Sequence, residues 1–200
     1  LTGGNAAQRV LAGLVSLDVP WPHVHLFWGD ERHVPPGHVD SNFGMARDVL
    51  LAHVRIPAVQ VHRMRGELAD VHAAAHDYET TLRKGFAAAG RENMVFDVMW
   101  LGVGEDAHIA SIFPDSPLLR LSGKAARVAG IWAPRFHEHR ITLTPAGLLD
   151  SKSILVVASG GHKAAAIKAA LEEPEDVYRS PVQLLRSAGD RVEWIVDRAD

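Results

Sequence analysis

The spacing of apolar and polar residues changes several times along the chain, and each change marks an element. Phe96–Leu101 (FDVMWL) is an apolar run of strand character that meets Gly102-Val103-Gly104. Val24–Trp28 and Ser153–Ala158 read the same way, the second apolar enough for a buried parallel strand. Gln60–Met64 is a short strand candidate, Arg127–Trp132 and Arg140–Leu143 look extended, and Val192–Val196 closes the chain as a strand. Between these runs the period becomes helical. Ala7, Val10, Leu11, Leu14 and Leu17 share one face, and Leu68, Val71, Ala75, Tyr78, Leu82 and Phe86 share another, with Gly90 as a stop. Asp40-Ser41-Asn42 offers an N-cap for a helix through Leu51, and Gly160-Gly161-His162-Lys163 leads into a helix to about Leu171. Leu1, followed directly by Thr2-Gly3-Gly4, reads as the last residue of a strand that begins ahead of it.

Strands alternating with helices predict a three-layer α/β/α domain over residues 1–200, Rossmann-like, with an open and mainly parallel sheet that lacks an N-terminal strand and helix. Parallel strands put their carboxyl ends on one edge, and open sheets bind ligands there. Four strand-end stretches carry the polar residues: 2–5, 29–32, 104–108 and 159–163.

Composition narrows the function. Of the 200 residues 47% are hydrophobic, enough for a sizeable core, and a net charge of -3 gives no general attraction to nucleic acid or membrane. With no cysteine, disulfides and thiolate chemistry are excluded. No apolar run reaches the length of a transmembrane helix, so the expected setting is the cytoplasm.

The strand-end residues suggest chemistry. Glycines ahead of a helix leave N–H groups at its positive end, an anion seat; this holds for Gly3-Gly4 and for Gly160-Gly161, where Lys163 adds a fixed charge. Asp30, Glu31 and Arg32 are three consecutive charges at a strand's end, read either as a functional cluster or as a surface turn with an Asp30–Arg32 pair. Asp106 and His108 form the remaining pair: a carboxylate can orient an imidazole, and an imidazole titrates near neutral pH. Gly102-x-Gly104-x-x-Ala107 fits a dinucleotide fingerprint in form, but Glu105 and Asp106 would stand where the pyrophosphate docks. His72 and His76 could chelate a metal but lack a third ligand, and His137-Glu138-His139 is not the H-E-x-x-H pattern. No metal or other cofactor is expected. Together, two anion seats and an Asp/His pair on one edge suggest a small phosphorylated substrate.

At these residues a resemblance enters. GVGEDAHIASIFP resembles the G-x-G-x-D-G-H-x-A-S-L-F-P signature of 6-phosphogluconolactonases. FWGDERHVPPGHVDSN, RITLT, SGGHKAAAI, PVQLL and the opening LTGGN are similar, in order, to further segments of that family. The resemblance implies metal-free hydrolysis of 6-phospho-D-glucono-1,5-lactone, with His108 as general base and Asp106 orienting the water or the imidazole. It implies that Arg32 stabilises the oxyanion or grips the phosphate, and that Gly3, Gly4, Gly160 and Lys163 seat the phosphate. Asp30 and Glu31 would bond sugar hydroxyls or hold Arg32, and Asn42, in the D-S-N segment, would also bind substrate. Oligomeric state, monomer or dimer, is left open. Two departures stand out: Ala107 replaces the family's glycine and must bear any positive φ there, and Asn5 and Ala6 stand where the family has small hydroxyls after the glycines. The alternatives are an amino-sugar-phosphate deaminase/isomerase and a non-enzymatic sugar-phosphate sensor. The first is disfavoured by Arg32 and by Ser111-Ile112-Phe113-Pro114, where those enzymes resemble one another in other residues.

Overall fold

The computed structural model describes residues 1–121 and 126–197. In chain order the elements are α1 (Asn5–Leu14), β1 (Leu26–Phe27), β2 (Asp30–Arg32), α2 (Asn42–Ala46), β3 (Val61–His62), α3 (Val71–Ala88), β4 (Phe96–Leu101), β5 (Val128–Ala133), β6 (Glu138–Leu143), α4 (Pro145–Leu149), β7 (Ser151–Ala158), α5 (Ala164–Leu171) and β8 (Val192–Val196). Strands β4, β7 and β8 form a parallel sheet in the order β4-β7-β8, and β1 pairs with β3, also parallel. The backbone of Leu1 brackets Trp28, donating to Phe27 O at 2.5 Å and accepting from Gly29 N at 2.8 Å, as in a parallel ladder.

The mixed α/β, mainly parallel architecture agrees with the sequence expectation, with one addition. Strands β2, β6 and β5 form an antiparallel sheet, in which Asp30 faces Thr142 and Arg32 faces Arg140. Asp30–Arg32, expected in a loop, is therefore strand: its backbone groups find partners on β6. The stretch after Gly104 is turn, with a bridge between Ile109 and Ile112. The helix expected to Leu51 changes after Ala46 into a wider turn over Arg47–Leu51.

Side-chain chemistry explains several boundaries. Asp70 caps α3 by accepting from the N–H groups of His72 and Ala73 at 2.7 and 2.8 Å, so the helix starts at Val71 although the apolar stripe begins at Leu68. Tyr78, fully buried on α3, donates to Trp28 O at 3.0 Å and accepts from Trp28 N at 2.7 Å, pinning the helix to the end of β1. The core beneath comprises Leu11, Trp28, Leu82, Leu101, Ile112, Ile141, Leu143, Ile154 and Val156. Burying each such large side chain is worth about 1.5–3 kcal/mol, which fixes the strand ends around which the polar residues gather. Among the described residues, no helix is long and apolar enough to cross a membrane.

Candidate active site

The loop after β4 is shaped by what its glycine lacks. A Cβ on Gly104 would sit 1.9 Å from His108 Nδ1 and 2.7 Å from Asp106 Oδ1, so only glycine lets the loop fold back onto its own start. Gly104 N donates to His108 O at 2.8 Å, Ala107 N to Gly104 O at 3.0 Å, and Val182 N to Ala107 O at 2.9 Å. This tight return forces Ala107 to φ 63, left-handed, with its methyl buried. Asp106 and His108 thereby meet, with Nδ1 and Oδ1 2.5 Å apart. A carboxylate can only accept, so Nδ1 carries the hydrogen and Nε2 is left as a free base. Burial works against the charge on Asp106, but the hydrogen bonds from His108 and Arg135 hold its pKa well below the usual carboxylate range. Phe113 packs against the imidazole, ring centres 4.7 Å apart.

His108 lines a cavity of about 410 Å³ whose other walls come from the ends of different strands. Thr2, Gly3 and Gly4 lead into α1, Asp30 and Arg32 lie on β2, Arg140 on β6, and Ser159, His162 and Lys163 follow β7. Arg9, Arg32, Arg140 and Lys163 face this space against the acids Asp30 and Glu105. Arg32 donates through Nη1 to Asp40 O and Arg140 through Nη2 to Glu138, yet the Nε of each is buried without a partner. The cationic lining of Arg9, Arg32, Arg140 and Lys163 suits an anionic ligand. The first turn of α1 adds N–H groups without a side-chain cap, behind Gly4 at φ 91. Asp30 accepts from Ser111 Oγ at 2.7 Å and lies 4.0 Å from Arg140 Nη1. Asn42 reaches Asp30 O at 2.9 Å through the space of Gly3, where a Cβ would meet Asn42 Oδ1 at 1.9 Å.

Of the residues singled out by sequence, Gly3, Gly4, Asp30, Arg32, Asn42, His108 and Lys163 line this one cavity, with Asp106 directly behind His108. Two are placed otherwise. Glu31 is buried behind the wall, where its carboxylate accepts from the N–H groups of Arg32, Asn42 and Phe43 at 2.7–2.8 Å and from Ser41 Oγ at 3.1 Å. It holds the start of α2, and desolvation raises its pKa despite those donors. Gly160 lies off the cavity because its N–H is taken by Asp197, at 2.8 and 3.0 Å from the two oxygens. Sequence reading missed Arg9, Ser111, Arg135, Phe136 and Arg140. Two of them had a signal, Arg140 as the first residue of RITLT and Ser111 inside GVGEDAHIASIFP. Neither histidine cluster gathers a third ligand: among the described residues there is no group of three or more side chains that could hold a metal.

Fold and site together define an α/β protein with a His–Asp pair beside a cleft lined by cationic side chains at the ends of its strands. The chain belongs to the family described as glucosamine-6-phosphate isomerases/6-phosphogluconolactonase, whose sequence model matches residues 1–194. It is 31% identical to the 6-phosphogluconolactonase of Synechocystis sp. over 99% of this chain and 80% of that protein. It is 38% identical to the 6-phosphogluconolactonase of Mycobacterium tuberculosis over 99% of this chain and 81% of that one. The crystal structure of 6-phosphogluconolactonase from Thermotoga maritima superposes with a TM-score of 0.83 at 28% identity, covering 98% of this chain and 83% of that one.

Proposed function

We propose that this protein hydrolyses 6-phospho-D-glucono-1,5-lactone to 6-phosphogluconate. The observation that carries the reading is the placement of the His108–Asp106 pair in the same 410 Å³ cavity as Arg9, Arg32, Arg140 and Lys163. That pairs a base with a seat for a phosphate. Relatives named for this activity, alike over almost the whole chain, support it.

The chemistry needs little more. A lactone carbonyl is already electrophilic, so the barrier falls when a water is placed, deprotonated and its product charge stabilised. His108 Nε2 takes a proton from water as the oxygen attacks the carbonyl carbon. Asp106 holds the imidazole in the required tautomer and steadies the imidazolium. The tetrahedral oxyanion collapses by breaking the bond to the ring oxygen, and the imidazolium returns its proton to that oxygen as the ring opens. Arg32 or Arg140 receives the oxyanion, while Lys163, Arg9, Gly3, Gly4 and the start of α1 take the phosphate. Asp30, fixed by Ser111 and Asn42, accepts from sugar hydroxyls. A deaminase reading is less well supported, because the named relatives above are lactonases. A phosphorylated sugar as substrate fits a cytoplasmic setting.

The test follows lactone loss directly. The lactone is generated in place from glucose 6-phosphate by its dehydrogenase, and its disappearance is compared with the uncatalysed rate. Strong acceleration by the wild type, and a loss of roughly 100-fold or more in His108→Ala, is expected. A wild-type rate equal to the blank would refute the reading.

A further inference from the structure

We infer that Arg135, at the tip of the β5–β6 hairpin, is a positioning residue that holds the outer oxygen of Asp106 and so keeps His108 aligned as a free base. For its kinetic readout the inference rests on the hydrolytic reading above.

Asp106 has two oxygens with different partners. Oδ1 faces His108 Nδ1 at 2.5 Å and the His108 backbone N–H at 3.4 Å. Oδ2 faces Arg135 Nη1 at 3.0 Å. With one oxygen held, a carboxylate can still turn about its Cβ–Cγ bond; with both held, it cannot. The imidazole takes its orientation from that plane.

The hairpin is built to deliver this contact. Strands β5 and β6 pair in unbroken register from Val128–Leu143 to Ala133–Glu138, so residues 134–137 form a short, well-supported turn. Phe136 N and His137 N bond back to Ala133 and Pro134, and His137 takes a left-handed φ of 51. Phe136 lines the cavity, its ring centre 5.7 Å from that of Phe113, which in turn packs on His108. The guanidiniums of Arg135 and Arg140 lie 5.7 and 5.1 Å from the Phe136 ring centre. The turn thus reaches the pair twice, directly through charge at Asp106 and indirectly through the tilted rings of Phe136 and Phe113 beside His108.

An exposed ion pair usually contributes little to stability, and Arg135 is 52% exposed. Its effect should therefore appear in catalysis rather than in folding. On its own loop His108 faces Asp106 and Glu105. Arg9, Asp30, Arg32, Arg140, His162 and Lys163 share its cavity, while Glu105 lies 3.8 Å from Arg135 Nη2.

The experiment uses the full chain with Arg135→Ala and Arg135→Lys. For Arg135→Ala, kcat is expected to fall roughly tenfold with KM within about twofold, and the acid limb of kcat/KM to move up by roughly half a pH unit. Arg135→Lys should restore the acid limb and only part of kcat, since a point charge replaces a planar fork. In parallel, the His108 ring signal, assigned with His108→Ala, is titrated by NMR and should shift upward in Arg135→Ala. Unchanged kcat and an unchanged ring titration overturn the inference, as does a raised KM with kcat intact, which would make Arg135 a substrate ligand. Should the wild type fail to accelerate lactone loss, the functional reading falls, while the ring titration still decides the role of Arg135.

Discussion

At the scale of single residues, the loop from Gly104 to His108 joins two opposite backbone demands. Gly104 must lack a side chain, and Ala107 must carry one in a conformation that a Cβ disfavours by about 1–2 kcal/mol. Two backbone hydrogen bonds, to Gly104 O and from Val182 N, hold Ala107 there. The departure from the family's glycine therefore leaves the loop's shape intact and places a modest strain beside the His–Asp pair. Gly104 has no such freedom. Gly104→Ala should lower the lactone hydrolysis rate by about 100-fold or more, since a misplacement of about 1 Å is enough for that loss. Thermal unfolding, followed by circular dichroism, should show that the variant remains folded.

At the scale of elements, side-chain anchors decide where helices and strands meet. Tyr78 satisfies both backbone groups of Trp28, so Tyr78→Phe should leave a buried donor and a buried acceptor unpaired at a cost of about 1–3 kcal/mol. A urea midpoint unchanged from the wild type would contradict that account. The same anchors show what could be read in the sequence. Period and punctuation located β4, β7, β8 and the long α3, because those elements bury continuous apolar surface. The glycine-rich ends of the parallel strands led to the cavity, because parallel strands put those ends together. The antiparallel sheet was not legible. Asp30–Arg32 looks like a polar loop until Arg140 and Thr142 pair with it from more than a hundred residues away. Arg135, Phe136 and Arg140 were missed for the same reason: Phe136 and Arg140 reach the cavity, and Arg135 reaches Asp106, through a hairpin whose register no local pattern reveals. Glu31 reads in sequence either as a sugar ligand or as a holder of Arg32; its carboxylate accepts from the N–H of Arg32 and from the start of α2, a choice that local sequence does not make.

At the scale of the whole molecule, charge is distributed unevenly. Burial and the neighbouring His25 press the pKa of His62 down to about 4, with the two rings in contact at 2.9 Å. A base whose folded pKa lies below its unfolded value binds fewer protons when folded, so stability falls as pH drops from about 6.5 towards 4. Glu31, raised by burial, opposes this over part of the range. The carboxylates of Asp106 and Glu67, both depressed, lose their contribution only below the ordinary carboxylate range. Tm measured from pH 7 to 4 should therefore decline in the wild type and decline less in His62→Phe, which keeps an aromatic ring against Phe27. The cleft has a different consequence. A chain of net charge -3 gathers four cations around one cavity, which makes that cavity a funnel for a phosphate dianion. Raising ionic strength from about 0.01 to 0.15 M shortens the Debye length from about 30 to 8 Å, and should lower kcat/KM several-fold while leaving kcat nearly unchanged. Equal kcat/KM at both salt concentrations would contradict the funnel. The substrate opens on its own in water, so for such an enzyme the contest is one of arrival: long-range attraction lets it intercept a scarce and short-lived molecule before the solvent does.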